Sequence, residues 1–271
     1  MVRSLWTAAS GMIAQQNNVD TIANNLANVN TTGYKTEVAE FKSLLYQDIK
    51  AKSTSANSEQ KPIPSQVGLG VRNSAITSVF TQGAYLDSSN DLAFAIGGDG
   101  FFGVRGQDGN TYYTRNGNFV LATDTNGLAL TTTDGLKVLD ADGKPIVFDE
   151  SFVASQITVT ADGQVCYPDD QNNPQPLGME IGLWQFNNPS GLQKTDSGLF
   201  SESAASGAAM NEYTTNSLVR SELRQGYLEG SNVQVADEMV NMIVAQRAYE
   251  LNSKAIQASD EMMQQANNLR R

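Results

Sequence analysis

The chain has 271 residues, a formal net charge of −11, no histidine and a single cysteine, Cys166. No run of Lys or Arg exceeds two residues. The commonest general base and metal ligand, any internal disulfide and a phosphate-tracking surface are therefore missing, which argues against an enzyme, a metal or cofactor site, and nucleic-acid binding.

At the N-terminus, Arg3 ahead of Leu5 to Ala14 has the outline of a secretory signal, but Ser10 and Gly11 interrupt it and no convincing cleavage site follows. The apolar runs are only a few residues long, far short of the roughly 20 needed to span a bilayer, so no direct membrane insertion is expected. Leu5, Met12, Val19 and Leu26 recur every seven residues, with Ala8, Ile22 and Val29 beside them, and predict an amphipathic helix. Gly11 beside Ala8 would let a second backbone approach closely, and Asn28, Asn30 and Gly33 end the run.

Residues 34–50 read as a helical turn or an extended arm, with Phe41, Leu44, Leu45 and Tyr46 as a short apolar group. The stretch Lys52 to Gln66 is rich in Ser, Asn, Gln and Lys, contains Pro62 and Pro64, and reads as a polar linker or an extended surface segment. From Val67 to Gln225 short apolar runs alternate with Asp-Gly and Asn-Gly pairs at Asp99, Asp108, Asn116, Asn126, Asp134, Asp142 and Asp162. That rhythm predicts an antiparallel all-β domain, an irregular barrel or sandwich, in which Cys166 is a strand residue. Residues 201–216 read as a loop or extended return. The Asp-Gly pairs need no calcium to explain them, and Gly97-Gly98-Asp99-Gly100 lacks the lysine of a phosphate loop.

Gly226 and Gly230 bracket a turn into a final helix, read as 231–271. Val235, Met242, Tyr249, Ile256 and Met263 form one seven-residue series, and Ala248, Ala255, Met262 and Leu269 a second on the adjoining face. Ser231 with Gln234 has the form of a capping box, and Asp237 and Glu238 come early while Arg270 and Arg271 come last, as the helix dipole favours. Some 35 helical residues would span about 50 Å and need a partner of similar length, for which the N-terminal helix qualifies. The pairing could form within one molecule, between molecules, or both, or be the core of an ordinary monomer. The fold class is α+β, laid out as 1–45 N-terminal helix and arm, 46–66 polar linker, 67–225 β-rich domain and 226–271 C-terminal helix.

Several segments resemble one family, the bacterial flagellar rod and hook proteins. Asn24-Asn25-Leu26-Ala27-Asn28-Val29-Asn30 with Gly33-Tyr34-Lys35, Tyr113-Thr114-Arg115-Asn116-Gly117-Asn118-Phe119, and Gly226-Tyr227-Leu228-Glu229-Gly230-Ser231-Asn232-Val233 are similar to its motifs, in the same order. The last looks most like the distal rod members. The resemblance implies a structural subunit whose terminal helices pack with those of other copies as the inner layer of a helical tube that carries motor torque to the hook. It also implies export through the flagellar type III apparatus with an uncleaved N-terminus, a place in the periplasmic basal body, and contacts with proximal rod subunits, hook or hook–rod junction subunits and bushing rings. Residues 46–66 fall where distal rod members carry an insertion. The assembly interface is expected at Leu5, Met12, Val19, Ile22, Leu26, Val235, Met242, Tyr249, Ile256 and Met263. Asn252 and Ser259 lie beside that stripe where a strong coiled coil would place Leu, so each helix should be marginal alone. A proximal rod or hook subunit, and a monomeric secreted β-domain binding module, are the alternatives.

Overall fold

The computed structural model describes residues 2–50, 65–124, 127–150, 152–169, 173–195, 198–215 and 218–268. Most of the polar stretch 46–66 lies outside these residues, as do Asn126, Leu269, Arg270 and Arg271. The fold is α+β, with two long helices and a large antiparallel β-rich body. The chain forms two compact units, one of residues 1–27, 37–77 and 234–271 and the other of residues 28–36 and 78–233.

The first unit holds helix α1 (Val2–Ala27) and helix α2 (Val235–Asn268). α1 stops where Asn28 accepts from Thr31 through both its carbonyl (3.2 Å) and its side chain (3.1 Å). α2 starts four residues later than its sequence signature suggested. The Ser231 hydroxyl accepts from the nearby Val233 N–H, and the first helical bond runs from Glu238 N–H to Gln234 carbonyl, so Ser231 and Gln234 do not form the anticipated capping box. Residues 34–50 resolve to the extended alternative. Glu37–Ser43 pairs with Val71–Ser78, and Tyr46–Lys50 pairs antiparallel with Ser65–Gly68 at the two ends of the polar stretch.

The second unit is built on a ten-stranded antiparallel sheet centred on Phe101–Arg105, which pairs with Thr111–Thr114, Lys137–Val138 and Leu183–Gln185. Side chains alternate between the faces of a strand, and here both faces are covered. Phe102 and Val104 point into a core with Phe94, Phe119, Leu130, Ile146 and Ile181, whereas Phe101 points the other way into an aromatic cluster with Tyr113, Trp184, Phe186 and Phe200. That two-sided burial explains the unbroken apolar run Phe101-Phe102-Gly103-Val104. Cys166 lies buried in the strand Gln164–Pro168.

The Asp-Gly pairs at 108, 134, 142 and 162 all close hairpins in one way. In each, the glycine N–H donates to the carbonyl three residues back, and that earlier residue donates to the carbonyl just past the glycine, as in Gly163 to Thr160 and Thr160 to Gln164. Gly163 sits at φ 86°, the left-handed position of a three-residue turn with a bulge. Asp99-Gly100 and Asn116-Gly117 are not hairpins. The strands on either side of each, Phe94–Gly97 with Phe101–Arg105 and Thr111–Thr114 with Phe119–Asp124, are not paired with one another. Gly117 is needed for space, since a side chain there would run into the Phe94 carbonyl.

Trp184 rests on two glycines, Gly103 and Gly182, whose missing Cβ atoms leave room for its six-membered ring. Gly103→Ala should push the ring aside and cost about 1–3 kcal/mol, as overpacking does. Trp184 emission is a clean readout because the other tryptophan, Trp6, is already 72% exposed. Unchanged emission and an unchanged denaturation midpoint would refute this packing.

Two phenols make the unit alkali-sensitive. Burial, aided by the hydrogen bond to Glu202 at 2.7 Å, pushes the Tyr113 pKa well above its ordinary value near 10. Burial, aided by the charges of Glu180 and Glu212, does the same to Tyr213. A folded-state pKa raised above the unfolded one contributes stability that is full below the unfolded value and is lost as pH rises past it. Lys35, its pKa lowered chiefly by burial, acts in the opposite sense in the same range. Denaturant titrations from about pH 8 to about pH 11 should therefore show wild type losing more stability than Tyr113→Phe. Parallel curves would overturn the assignment.

Candidate assembly surfaces and a buried ionic joint

Within the first unit, α1 and α2 meet along a seam of small and polar residues. Ser4 and Ser259 hydroxyls lie 3.4 Å apart, Asn252 covers Gly11 so closely that a Cβ there would meet its amide nitrogen at 2.9 Å, and the Asn25 amide donates to the Glu238 carboxylate at 3.3 Å. The steps from 4 to 11 to 25 on α1 match those from 259 to 252 to 238 on α2, which is an antiparallel seven-residue register. It places Asn18 opposite the buried Ala245. Asn25 also accepts from Glu37 N–H (2.9 Å) and donates to Glu37 carbonyl (2.8 Å), so one buried amide fixes the start of strand Glu37–Ser43 as well as the seam. Asn24 reaches the Glu37 carboxylate at 3.2 Å.

The expected interface residues fall partly on this seam. Ile22 is buried; Leu5, Met12, Val19, Leu26, Met242, Ile256 and Met263 are half-buried; Val235 and Tyr249 are 41% and 42% exposed. The series that alternates with Met242, Tyr249, Ile256 and Met263 along the seam is Glu238, Ala245, Asn252 and Ser259. It is not the Ala248, Ala255 and Met262 series, of which Ala255 and Met262 are exposed. The correction has a geometric cause: a residue three or four positions on shares the contact face, whereas one six positions on lies to its side. Large apolar side chains are instead turned outward. Trp6 and Ile13 on α1 are 72% and 63% exposed, and on α2 Val240, Val244, Leu251 and Met262 are 51% to 66% exposed along one line at helical spacing. Neither helix is long and apolar enough to cross a membrane.

In the second unit three motif segments from distant parts of the chain converge on Glu229. Its carboxylate accepts from Lys35 Nζ at 2.6 Å, from Arg115 at 3.3 Å and from Gly83 N–H at 3.0 Å, and all three charged side chains are essentially inaccessible to water. Lys35 also donates to Thr81 carbonyl, and the Arg115 guanidinium lies over the Phe101 ring at 4.9 Å. Burial lowers the pKa of both cations, and Glu229 pulls each back up. Gly33 donates its N–H to the Glu229 carbonyl at 2.8 Å; its φ of 70° and the backbone of Asn116 at 2.7 Å from where a Cβ would stand admit glycine alone. Tyr34 packs its ring under Lys194 at 5.6 Å. Gly226 N–H donates to Ala93 carbonyl and Gly230 N–H to Ala84 carbonyl, at 2.8 and 2.7 Å. Asn30 is exposed.

The ionic joint was missed as a site, although each of its charged members stood inside a quoted motif. The hint is a lone charge in a segment otherwise of Gly, Asn and aromatic residues: Lys35 after Gly33-Tyr34, Arg115 before Asn116-Gly117, and Glu229 between Leu228 and Gly230.

Comparison with known proteins accounts for the same three segments. Residues 5–35 match the family model for the flagella basal body rod protein, residues 95–167 that for the flagellar hook protein FlgE/F/G D1 domain, and residues 224–269 that for the flagellar basal body rod FlgEFG protein C-terminal. All three describe rod and hook proteins of the bacterial flagellum, which are structural. Over the whole of both chains the sequence is 47% identical to the flagellar basal-body rod protein FlgG of Borreliella burgdorferi and 38% identical to that of Bacillus subtilis. It is 32% identical, again over both full lengths, to the flagellar hook-basal body complex protein FlhP of Bacillus subtilis. The chain belongs to the flagellar basal-body rod protein family, on the FlgG branch.

Proposed function

We propose that the chain is the distal rod subunit, polymerising into a helical tube that carries motor torque to the hook. The observation that carries this reading is the division of faces on the helices. The intramolecular seam is made of Ser4, Gly11, Asn25, Glu238, Asn252 and Ser259, while Trp6, Ile13, Val240, Val244, Leu251 and Met262 are left in water. A helix with apolar residues on a second, solvent-facing side gains by burying that side against another chain. In the tube, α1 and α2 form a coiled-coil-like inner layer, and the β unit is an insertion carried outside it. Proximal rod subunits and hook or junction subunits are its neighbours along the axis, with bushing rings around it. It reaches the periplasm through the flagellar export apparatus with its N-terminus uncleaved. A paralogous rod or hook-basal-body role is the second reading, favoured by the likeness to FlhP.

Electron microscopy of the purified full chain under polymerising conditions tests the proposal. Straight tubes are the expected result. A chain that stays monomeric at all concentrations and on rod templates would refute it.

A further inference from the structure

The chain passes between its two units four times, at 27–28, 36–37, 77–78 and 233–234. Just inside the β unit the last three of these stems are bonded together through one side chain. Asn232 Oδ1 accepts from both the backbone N–H and the hydroxyl of Thr36, each at 2.7 Å. Its Nδ2 donates to the carbonyls of Val79 (2.9 Å) and Thr81 (3.2 Å) and to the Thr81 hydroxyl oxygen (2.8 Å). Val79 N–H donates to Thr36 carbonyl at 2.9 Å, closing the triangle. A carboxamide is the side-chain group with two acceptor lone pairs and two donor hydrogens on one short planar head. Asp keeps the acceptors and loses the donors, and Gln carries the same head one carbon too far.

We propose that Asn232 is a clasp that holds these three of the four stems in fixed register, so that twist carried along them enters the β unit through all three at once. Three tethers bonded side by side share a load that three independent ones would take up in turn. Asn232 is in this sense a positioning residue for torque transmission, and that part of the proposal rests on the rod reading above. The Lys35–Arg115–Glu229 joint ties the same three segments further from the crossings, through Lys35 to Glu229 and to the Thr81 carbonyl, whereas Asn232 bonds Thr36 and Val79, the residues nearest the crossings.

Two measurements on the full chain test it. In the monomer, Asn232→Asp should speed hydrogen exchange at the Val79 amide about tenfold or more, because the bonds that hold that stem are lost, and leave the core amide of Ile181, bonded to Gly163, unchanged. Exchange at Val79 equal to wild type would overturn the clasp. Should Asn232→Asp also expose Ile181, Thr81→Val, which removes a single acceptor, takes its place with the same two amides as readout. In cells whose only copy of the rod subunit is the variant, rods should form in normal number but rotate a viscous load more slowly. Faster exchange with undiminished rotation would overturn the torque role. If the unaltered chain itself built no rods, the torque role would fall with the rod reading, while the clasp would still stand or fall on the exchange alone.

Discussion

Glu229→Ala is expected to lower the stability of the β unit by about 3–5 kcal/mol, enough to unfold a marginal domain at physiological temperature. The carboxylate is the buried counter-charge of both Lys35 and Arg115 and also accepts the Gly83 N–H, so its removal leaves two cations and a backbone donor in the interior without it. Lys35→Met should cost less, since Glu229 and Arg115 still neutralise each other. The double variant Lys35→Met, Glu229→Ala should recover part of the loss, because one stranded charge is removed with its partner. Denaturant unfolding followed by Trp184 emission provides the three numbers of that cycle. A Glu229→Ala midpoint within about 0.5 kcal/mol of wild type would show that the joint carries no stability.

The second large effect separates assembly from folding. Leu251 is 66% exposed on the outward line of α2, so Leu251→Asp should leave monomer stability within about 0.5 kcal/mol of wild type. In the tube the same carboxylate would be buried without a partner in every subunit, a cost of several kcal/mol repeated along the axis, and polymerisation should be abolished. Ile256→Asp is the informative contrast. Ile256 is half-buried on the α1 side, so this variant should loosen the helix pair as well as block assembly, while the melting of the β unit, read at Trp184, stays in place. Sedimentation and electron microscopy of both variants decide the matter. Normal tubes from Leu251→Asp would mean that the outward line is not the assembly surface.

Both helices were legible because a seven-residue repeat sustained over several turns has no other simple reading. Which face pairs within the chain was not legible from hydropathy. The large apolar residues of α2 form more than one stripe, and the contact is chosen by where a second backbone can come close, at Gly11, Ala245 and Ser259. Four Asp-Gly pairs marked real hairpins because a glycine at positive φ is what that turn demands. Asn116-Gly117 did not, because there glycine answers a steric demand made by Phe94, more than twenty residues earlier, which no local rule contains. Nor could spacing assign residues 28–36 to the β unit, since what binds them there is a glutamate near the other end of the chain.

That last contact sets a timetable. Lys35 and Glu229 are 194 positions apart and Arg115 and Glu229 are 114 apart, so the interior charges of the N-terminal segment have no counter-ion until nearly the whole polypeptide is present. Contacts of such high separation form late, because the entropy of closing the intervening loop must be met before they contribute anything. A chain leaving a narrow conduit N-terminus first would therefore keep its β unit incomplete while it is threaded, and a chain cut short before residue 229 could never finish it. The order of synthesis itself guards against premature closure.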